Sequence, residues 1–191
     1  MARLRVGLLG GSFNPAHEGH LHVSLAALAA LKLDRVVWLV APQNPLKAAA
    51  GMAPLARRLE RARGLARHPA IAVSDLERRL GTRYSVDTIA RLLARRPRHH
   101  YVWLIGADIL SELPRWRRWQ RLFELVPVAI FDRPTYARFA RASPVARRFG
   151  RYRVKAPAVL ATRRPPAWCF VHGPTHPASA TELRRRGVWP A

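Results

Sequence analysis

Cysteine and long apolar runs are scarce in this chain of 191 residues. Cys169 is the only cysteine, so no disulfide can form within the chain, which fits a reducing compartment. The first apolar run, Val6 to Leu9, is short and ends at two glycines, Gly10 and Gly11. It does not resemble a signal peptide, and no run approaches the roughly 18 residues of a membrane span. We therefore expect a cytoplasmic protein that has no membrane partner.

Acidic residues are also few, numbering 11 against 34 lysines and arginines, which gives a formal net charge of +23. Only three of these cations are lysines, so arginine supplies nearly all of the excess. A basic surface attracts phosphates, and RNA is one possible polyanionic partner. The alternative is that arginine accumulated along the whole chain and forms a solvated surface. Because no RNA-binding or DNA-binding motif accompanies the charge, the sequence does not favour nucleic acid.

The hydrophobic pattern predicts one α/β domain over residues 1–191. With 49% apolar residues the chain can bury a sizeable core. Short apolar strands alternate with amphipathic helices, which favours a doubly wound, Rossmann-like parallel sheet with helices on both faces. The predicted strands are Leu4–Leu9, Val36–Val40, Ile71–Val73, Tyr101–Ile105, Val128–Phe131 and Trp168–Val171. Helices are predicted over Pro54–Arg67, over Ser85–Arg95 and after the turn that follows the first strand.

One segment departs from this alternation. Residues 133–166 contain ten cations, five prolines and no acidic residue. Such a composition favours solvated loops over a packed element. We therefore expect residues 133–166 to form a basic, loop-rich excursion from the domain.

The turn after the first strand, GGSFNPAHEGH over residues 10–20, indicates an anion site. Ligands of parallel sheets bind where strands lead into helices, and a helix N-terminus attracts phosphate. Gly10 and Gly11 allow backbone amides to approach a phosphate, while His17 and His20 are spaced to face one ligand. The turn lacks the pattern of a P-loop or of a dinucleotide-binding fingerprint.

Two other interpretations of this turn are open. The histidines could cap the helix without binding a ligand. With His22 they could also bind a metal ion, but His22 falls on another side of the helix and no nearby carboxylate completes a ligand set. We therefore predict no protein metal site here.

The string GGSFNPAHEGHL resembles the G-S-F-D-P-x-H-x-G-H motif of the nucleotidyltransferase superfamily, and in particular of bacterial nicotinate-nucleotide adenylyltransferases. Further similarities run through nearly the whole chain. They are Pro42 to Lys47, Tyr84 to Thr88 with Glu77 before it, Leu104 to Asp108 followed by Trp116 and Trp119, and Ser179 to Arg184. Two positions differ from the family's pattern, since Leu46 replaces a histidine and Ala180 replaces a serine.

The resemblance implies the transfer of an adenylyl group from ATP to nicotinate mononucleotide in NAD biosynthesis, with Mg²⁺ carried by ATP. The catalytic positions that it implies are His17, His20, Lys47 and Arg184. The implied ATP-binding positions are Gly10, Gly11, Ser12, Phe13, Gly106, Asp108, Arg133, Ser179 and Thr181. Ser179 and Thr181 begin a C-terminal helix, residues 179–187, whose N-terminus would hold phosphates. The mononucleotide would contact Thr88 and Trp116.

Simpler interpretations of these residues and rival functions are also open. Several of them are residue types that commonly begin helices, namely Asp87, Thr88, Asp108, Ser179 and Thr181. Trp116 and Trp119 could be core.

Another phosphate acceptor, nicotinamide mononucleotide or pantetheine phosphate, would fit the same superfamily. A basic RNA-binding protein on the same scaffold is the rival from another class.

Overall fold

A computed structural model of the chain describes residues 3–43, 51–133 and 143–189. Six parallel strands form one sheet: β1 (Arg5–Gly11), β2 (Arg35–Val40), β3 (Ile71–Ser74), β4 (His100–Gly106), β5 (Val128–Phe131) and β6 (Trp168–Val171). The described helices are α1 (Glu18–Ala30), α2 (Leu55–Leu65), α3 (Leu76–Leu80), α4 (Ser85–Arg95), α5 (Trp119–Leu125), α6 (Pro144–Phe149) and α7 (Ala180–Arg185).

The strand order is β3-β2-β1-β4-β5-β6, which is the order of a doubly wound Rossmann-like sheet. The chain runs outward from β1 to β3 and then returns to β4, so the direction of winding reverses between β1 and β4. Two hydrophobic clusters cover the sheet, one on each face. The predicted fold class is therefore confirmed.

The first strand is longer than the sequence predicts, because it continues through Gly10 and Gly11. Both glycines pair with β2, Gly10 with Leu39 and Gly11 with Val40. A Cβ built on Gly10 would lie 2.5 Å from the ring of Trp103 on β4. Gly10 is therefore required for packing inside the sheet, a constraint that the sequence pattern did not reveal.

The basic segment is less irregular than its composition predicts. Residues 134–142 lie outside the described part of the chain, but α6 and two 3-10 turns, Gly150–Tyr152 and Pro157–Thr162, occupy much of the remainder. Val145, Phe149 and Leu160 are buried in the two core clusters. Within the predicted loop-rich excursion, a few apolar residues therefore anchor α6 and the two turns against the sheet despite the surrounding cations.

Within the three described ranges, no helix is both long enough and apolar enough to cross a membrane.

Candidate active site

A cavity of about 900 Å³ lies at the carboxyl ends of the strands. The loops after β1, β2, β4, β5 and β6 contribute to its wall, so it sits over the point where the winding reverses. Parallel α/β sheets bind their ligands at this position. The turn that contains His17 and His20 forms one side of the cavity.

His20 is held from three directions. The indole N–H of Trp38 on β2 donates to the Ser24 hydroxyl at 2.7 Å, and that hydroxyl donates to the His20 carbonyl at 2.8 Å. The Phe13 ring lies 4.6 Å from the His20 ring and stacks on Trp38. Packing between α1 and β2 therefore fixes the first turn of α1 and its histidine.

The backbone of His17 engages one ring nitrogen of His20. The His17 N–H lies 3.1 Å from Nδ1 of His20, and the His17 carbonyl oxygen lies 3.3 Å from the same nitrogen. The tautomer of the ring decides which of the two contacts is a hydrogen bond. In the tautomer that accepts the His17 N–H at Nδ1, the ring proton resides on Nε2, from which His20 can donate to an anion.

His17 is 6% exposed, and its ring centroid lies 3.9 Å from that of His20. Burial lowers its pKa to about 4, with smaller effects from the positive charge of Arg133 and from His176. His17 Nδ1 and the Ser12 hydroxyl are buried without a hydrogen-bond partner among the described residues. Unsatisfied buried polar atoms are rare in native proteins, so these two atoms indicate a ligand that bonds to them.

Gly19 brings a second segment against this turn. A Cβ on Gly19 would lie 2.9 Å from His17 Nδ1 and 3.1 Å from the Ala178 carbonyl oxygen. The absence of a side chain therefore lets the segment after β6 pack against the start of α1. The loop after β6, together with α7, thereby forms this side of the cavity.

At the start of α7, Ser179 and Thr181 both line the cavity. The Ser179 hydroxyl accepts the N–H of Glu182 at 3.1 Å, so it caps α7. Arg184 also lines the cavity and donates to the Asn14 carbonyl as well as to the Thr181 hydroxyl. Ser179 therefore caps the helix, as the simpler interpretation predicts, and it also lies at the cavity wall.

Arg133, which follows β5, joins two other loops. Its Nε lies 3.6 Å from Asp108 Oδ1, and its Nη1 donates to the His176 carbonyl at 3.4 Å. Both Nε and Oδ1 are buried without a hydrogen-bond partner among the described residues. A Cβ on Gly106 would collide with Asp108 and Arg133. Gly106 therefore leaves room for a charged pair that still has hydrogen-bonding capacity for a ligand.

The two residues predicted to bind the mononucleotide, Trp116 and Thr88, lie in different surroundings. Trp116 lines the cavity. Trp119, which follows it, also reaches the lining, but it is 8% exposed and packs edge-on against Phe123 and Phe149. Thr88 is fully buried, and its hydroxyl bonds to Thr82 and to the Tyr84 carbonyl. The structure therefore does not bring the Thr88 side chain to the cavity wall.

The remaining residues predicted for ATP binding or catalysis lie either at the cavity or outside the described residues. Gly10, Gly11, Ser12, Phe13, Gly106, Asp108 and Arg133 all line the cavity, as do both histidines. Leu46 and Lys47 lie outside the described residues.

Arg58 is a structural residue that sequence analysis missed. Only 1% of it is exposed, and its guanidinium donates to the carbonyls of Ala53, Ser12, Ala41 and Pro42 at 2.6 to 2.8 Å. It thereby joins the loops after β1 and β2 to the residues before α2. Burial lowers its pKa. A helical arginine in a chain so rich in arginine carries no signal of this role.

Two further residues of the cavity received no role from the sequence. His176 lines the cavity near His17, and its Nδ1 accepts the Ala178 N–H at 3.1 Å. Glu77 lines the cavity while only 4% exposed, and burial raises its pKa to about 7. The similarity around Tyr84 drew attention to Glu77, but only the tertiary structure shows that it lies at the cavity wall.

The residues present suit a metal ion that arrives on a ligand. No group of three or more His, Cys, Asp or Glu side chains in residues 3–43, 51–133 and 143–189 is arranged to hold a metal ion. Mg²⁺ bound to nucleotide phosphates keeps several waters and needs few protein ligands.

The sheet is doubly wound, and paired histidines, an unsatisfied hydroxyl and arginines lie at the switch point, where its winding reverses. These features define a nucleotide-binding α/β protein. The family model described as cytidylyltransferase-like matches residues 8–186. Similar proteins include one from Parvibaculum lavamentivorans, 54% identical over 97% of this chain and 94% of the relative. Another, from Methylorubrum extorquens, is 50% identical over 96% of this chain and 100% of the relative. Both are named as probable nicotinate-nucleotide adenylyltransferases. The chain belongs to the cytidylyltransferase-like family and, within it, to the nicotinate-nucleotide adenylyltransferases.

Solved structures share the fold. The nicotinic acid mononucleotide adenylyltransferase of Plasmodium falciparum, complexed with NaAD, superimposes with a TM-score of 0.70 over 94% of this chain and 82% of that chain. Its complex with APC gives a TM-score of 0.68 over the same shares. The sequence identities are 14% and 13%, so these similarities concern the fold alone.

Proposed function

We propose that this protein transfers the adenylyl group of ATP to nicotinate mononucleotide, which yields deamido-NAD and pyrophosphate in NAD biosynthesis. The observation that carries the proposal is identity of 50% and more, over nearly the whole chain, to proteins named for this activity. The cavity at the switch point, with its paired histidines, is consistent with the handling of phosphates.

The chemistry needs no covalent enzyme intermediate. An oxygen of the mononucleotide 5′-phosphate attacks the α-phosphorus of ATP in line, and a new P–O bond forms. The bond from the α-phosphorus to the bridging oxygen breaks, and the electron pair leaves with pyrophosphate. The attacking phosphate is already ionised near neutral pH, so no general base is required. Catalysis then consists of alignment and of stabilising the transferred negative charge.

The histidines are suited to the transferred phosphate. His20 would donate from Nε2 in the tautomer whose Nδ1 accepts the His17 N–H. The Ser12 hydroxyl and the His17 ring would complete their unsatisfied hydrogen bonds to phosphate oxygens. With a pKa of about 4, His17 is neutral at pH 7, and a bound polyphosphate would raise this pKa because opposite charge favours the protonated form.

The other predicted residues would bind the remaining parts of ATP and of the mononucleotide. Arg184, Lys47 and α7, through Ser179 and Thr181, would hold the β- and γ-phosphates, arginine being suited to bidentate contacts. Asp108 and Arg133, whose buried Oδ1 and Nε atoms have no hydrogen-bond partner among the described residues, would bind the adenosine with Gly106 beside them. The Trp116 ring would stack on the pyridine.

Mg²⁺ would enter on the ATP phosphates and neutralise charge on the leaving pyrophosphate. We place the reaction in the cytoplasm, with ATP and nicotinate mononucleotide as the only proposed partners.

Pyrophosphate release tests the proposal directly. The purified chain with ATP and Mg²⁺ is given nicotinate mononucleotide, nicotinamide mononucleotide or pantetheine phosphate in turn. We expect rapid release with the first acceptor alone and, for Trp116→Ala, a KM that rises for the mononucleotide more than for ATP. Release with another acceptor in preference would reassign the substrate. No release with any acceptor, together with salt-dependent binding of RNA, would favour the RNA-binding alternative.

A further inference from the structure

Glu77 is a buried acid that no described residue neutralises. It is the second residue of α3, lines the catalytic cavity and is 4% exposed. None of the hydrogen bonds or ion pairs among the described residues involves its carboxylate. By contrast Asp75, two residues earlier, pairs with Arg78 and Arg79 at the surface. An ionised carboxylate in such a position is costly unless a partner arrives.

The wall around Glu77 is the one that holds the proposed pyridine site. The Glu77 carbonyl accepts the Thr82 N–H at 3.0 Å, and this turn continues to Tyr84 at the start of α4. The Arg117 guanidinium lies 4.8 Å from the centroid of the Tyr84 ring, which joins α4 to the segment of Trp116. Glu77, Tyr84 and Trp116 all line the cavity.

The two faces of the sheet separate this wall from the histidines. Leu76, next to Glu77, packs against the same core cluster as Trp116. Phe13, which supports His20, belongs to the cluster on the opposite face. The segment of Glu77 is therefore supported from the same face of the sheet as Trp116, whereas the histidine turn is supported from the other face.

The surrounding charges do not supply a fixed partner among the described residues. The charged or titratable groups on α3 and on neighbouring segments include Asp75, Arg78, Arg79, Arg83, Tyr84, Asp87, Arg91, Glu112, Arg115 and Arg117; Arg78 and Arg79 pair with Asp75, and Arg91 donates to the Leu80 carbonyl. Burial alone raises the pKa of Glu77 to about 7, with no contribution from a neighbouring cation. A cation that enters with a ligand would therefore be its first close counter-charge.

The proposed acceptor carries one such group. Its phosphate and its carboxylate are anionic, whereas its ring nitrogen, bonded to the ribose, makes the pyridine a cation. We propose that Glu77 is a specificity-determining residue that recognises the positive charge of the pyridinium ring while Trp116 stacks on its face. This inference rests on the proposed function, and it assigns to one side chain the preference for an oxidised, cationic ring.

The reduced mononucleotide is the decisive probe. Its 1,4-dihydropyridine ring has nearly the same size but no positive charge. A carboxylate close to the ring should favour the cationic form by about 10-fold to 100-fold, given the strength of charge pairs in a partly buried site. Stacking on Trp116 also favours a cationic ring, but this contribution is common to wild type and to variants of Glu77, so a comparison of the two isolates the effect of the carboxylate.

The experiment measures kcat and KM with both mononucleotides for wild type and for Glu77→Gln, a variant of equal size without the charge. We expect the KM of Glu77→Gln for the oxidised mononucleotide to rise about tenfold or more, with the KM for ATP unchanged. The ratio of kcat/KM for oxidised over reduced ring should fall about tenfold or more, to the preference that stacking on Trp116 alone confers. Glu77→Asp, which keeps the charge, should retain a preference for the oxidised ring.

Glu112→Gln is the matched control, because Glu112 is an exposed acid on the rim of the same cavity. Water screens its charge, so this variant should keep the wild-type ratio. The proposal is overturned if Glu77→Gln retains the wild-type ratio, or loses activity equally with both rings. A wild type that is inactive with nicotinate mononucleotide overturns the proposed function and this inference with it. An active wild type with an unchanged ratio in Glu77→Gln overturns the inference alone.

Discussion

The indole N–H of Trp189 donates a 2.8 Å hydrogen bond to Oδ1 of Asn14, 175 residues earlier in the chain. The same oxygen accepts the Ala53 N–H at 3.2 Å, and the Asn14 amide donates to the Gly51 carbonyl at 2.7 Å. Arg57 lies over the Trp189 ring, 5.0 Å from its centroid. One side chain of the turn at residues 10–20 therefore joins the end of the described chain to the residues before α2.

This relationship predicts that Trp189 supports the turn at residues 10–20 from a distance. Trp189→Phe keeps an aromatic ring but leaves the buried Asn14 oxygen with one donor fewer, which should cost about 1 kcal/mol. We expect a moderate rise in the KM for ATP with kcat within about threefold of wild type. Steady-state kinetics at fixed mononucleotide measure this. Val188→Ala, at an exposed neighbour, is the control, and equal effects of the two variants would contradict the prediction.

Arg58 should be essential for the stability of the site. Arg58→Met fills much of the volume but leaves four backbone carbonyls without their donor, so the free energy of unfolding should fall by about 3 kcal/mol or more. Urea denaturation measures this loss. Arg61→Met, at an exposed position of the same helix, should change stability by less than about 0.5 kcal/mol. A stable Arg58→Met protein would show that water replaces the guanidinium.

His20 should act on turnover and not on folding. His20→Ala removes the Nε2–H donor, so kcat should fall by about 100-fold or more while thermal unfolding changes little. His22→Ala is the matched control, since His22 is two residues away and bonds to the Pro174 carbonyl outside the cavity. Single-turnover measurement of adenylyl transfer separates chemistry from product release. Near-normal turnover in His20→Ala would contradict the assigned role.

Two cavity residues should give opposite pH dependences of stability. The pKa of His17 falls from 6.5 to about 4 on folding, so the unfolded chain binds more protons between these values. Its contribution of about 3 kcal/mol to the free energy of unfolding is therefore present above pH 6.5 and lost as the pH falls towards 4. The pKa of Glu77 rises from 4.5 to about 7, so its contribution of similar size is lost as the pH rises through this range.

Difference curves between variants and wild type separate these two contributions. Relative to wild type, His17→Asn should lose stability as the pH rises from 4 to 6.5, and Glu77→Gln should gain stability from 4.5 to 7. Urea denaturation at a series of pH values measures both. Parallel curves for all three proteins would show that neither group titrates differently in the folded state.

The net charge of +23 should steer anionic substrates. We expect kcat/KM to fall several-fold between about 50 mM and about 500 mM salt, while kcat changes little. Replacing both Arg163 and Arg164, which line a separate basic recess, with glutamate should lower kcat/KM at low salt only. A salt response confined to kcat would argue against steering.

Local residue patterns were sufficient for most of the framework. The strands Val128–Phe131 and Trp168–Val171 and the helix Ser85–Arg95 have the predicted bounds, because each is a compact apolar or amphipathic unit. The turn at residues 10–20 was also recognisable, since its glycines and histidines form a contiguous motif. Errors arose where long-range contacts decide the outcome, as in the pairing of Gly10 and Gly11 with β2.

The sequence by itself determined the α/β class, the position of the turn that contains His17 and His20, and the family, because these depend on periodicity and on a contiguous motif. Only the tertiary structure decided that Thr88 turns inward to Thr82 and that Arg58 binds four carbonyls. It also decided that Glu77 lies at the cavity wall with no partner for its carboxylate in the described part of the chain. The physical reason is that burial and hydrogen bonding depend on segments far apart in the chain, which the composition of any one segment does not specify.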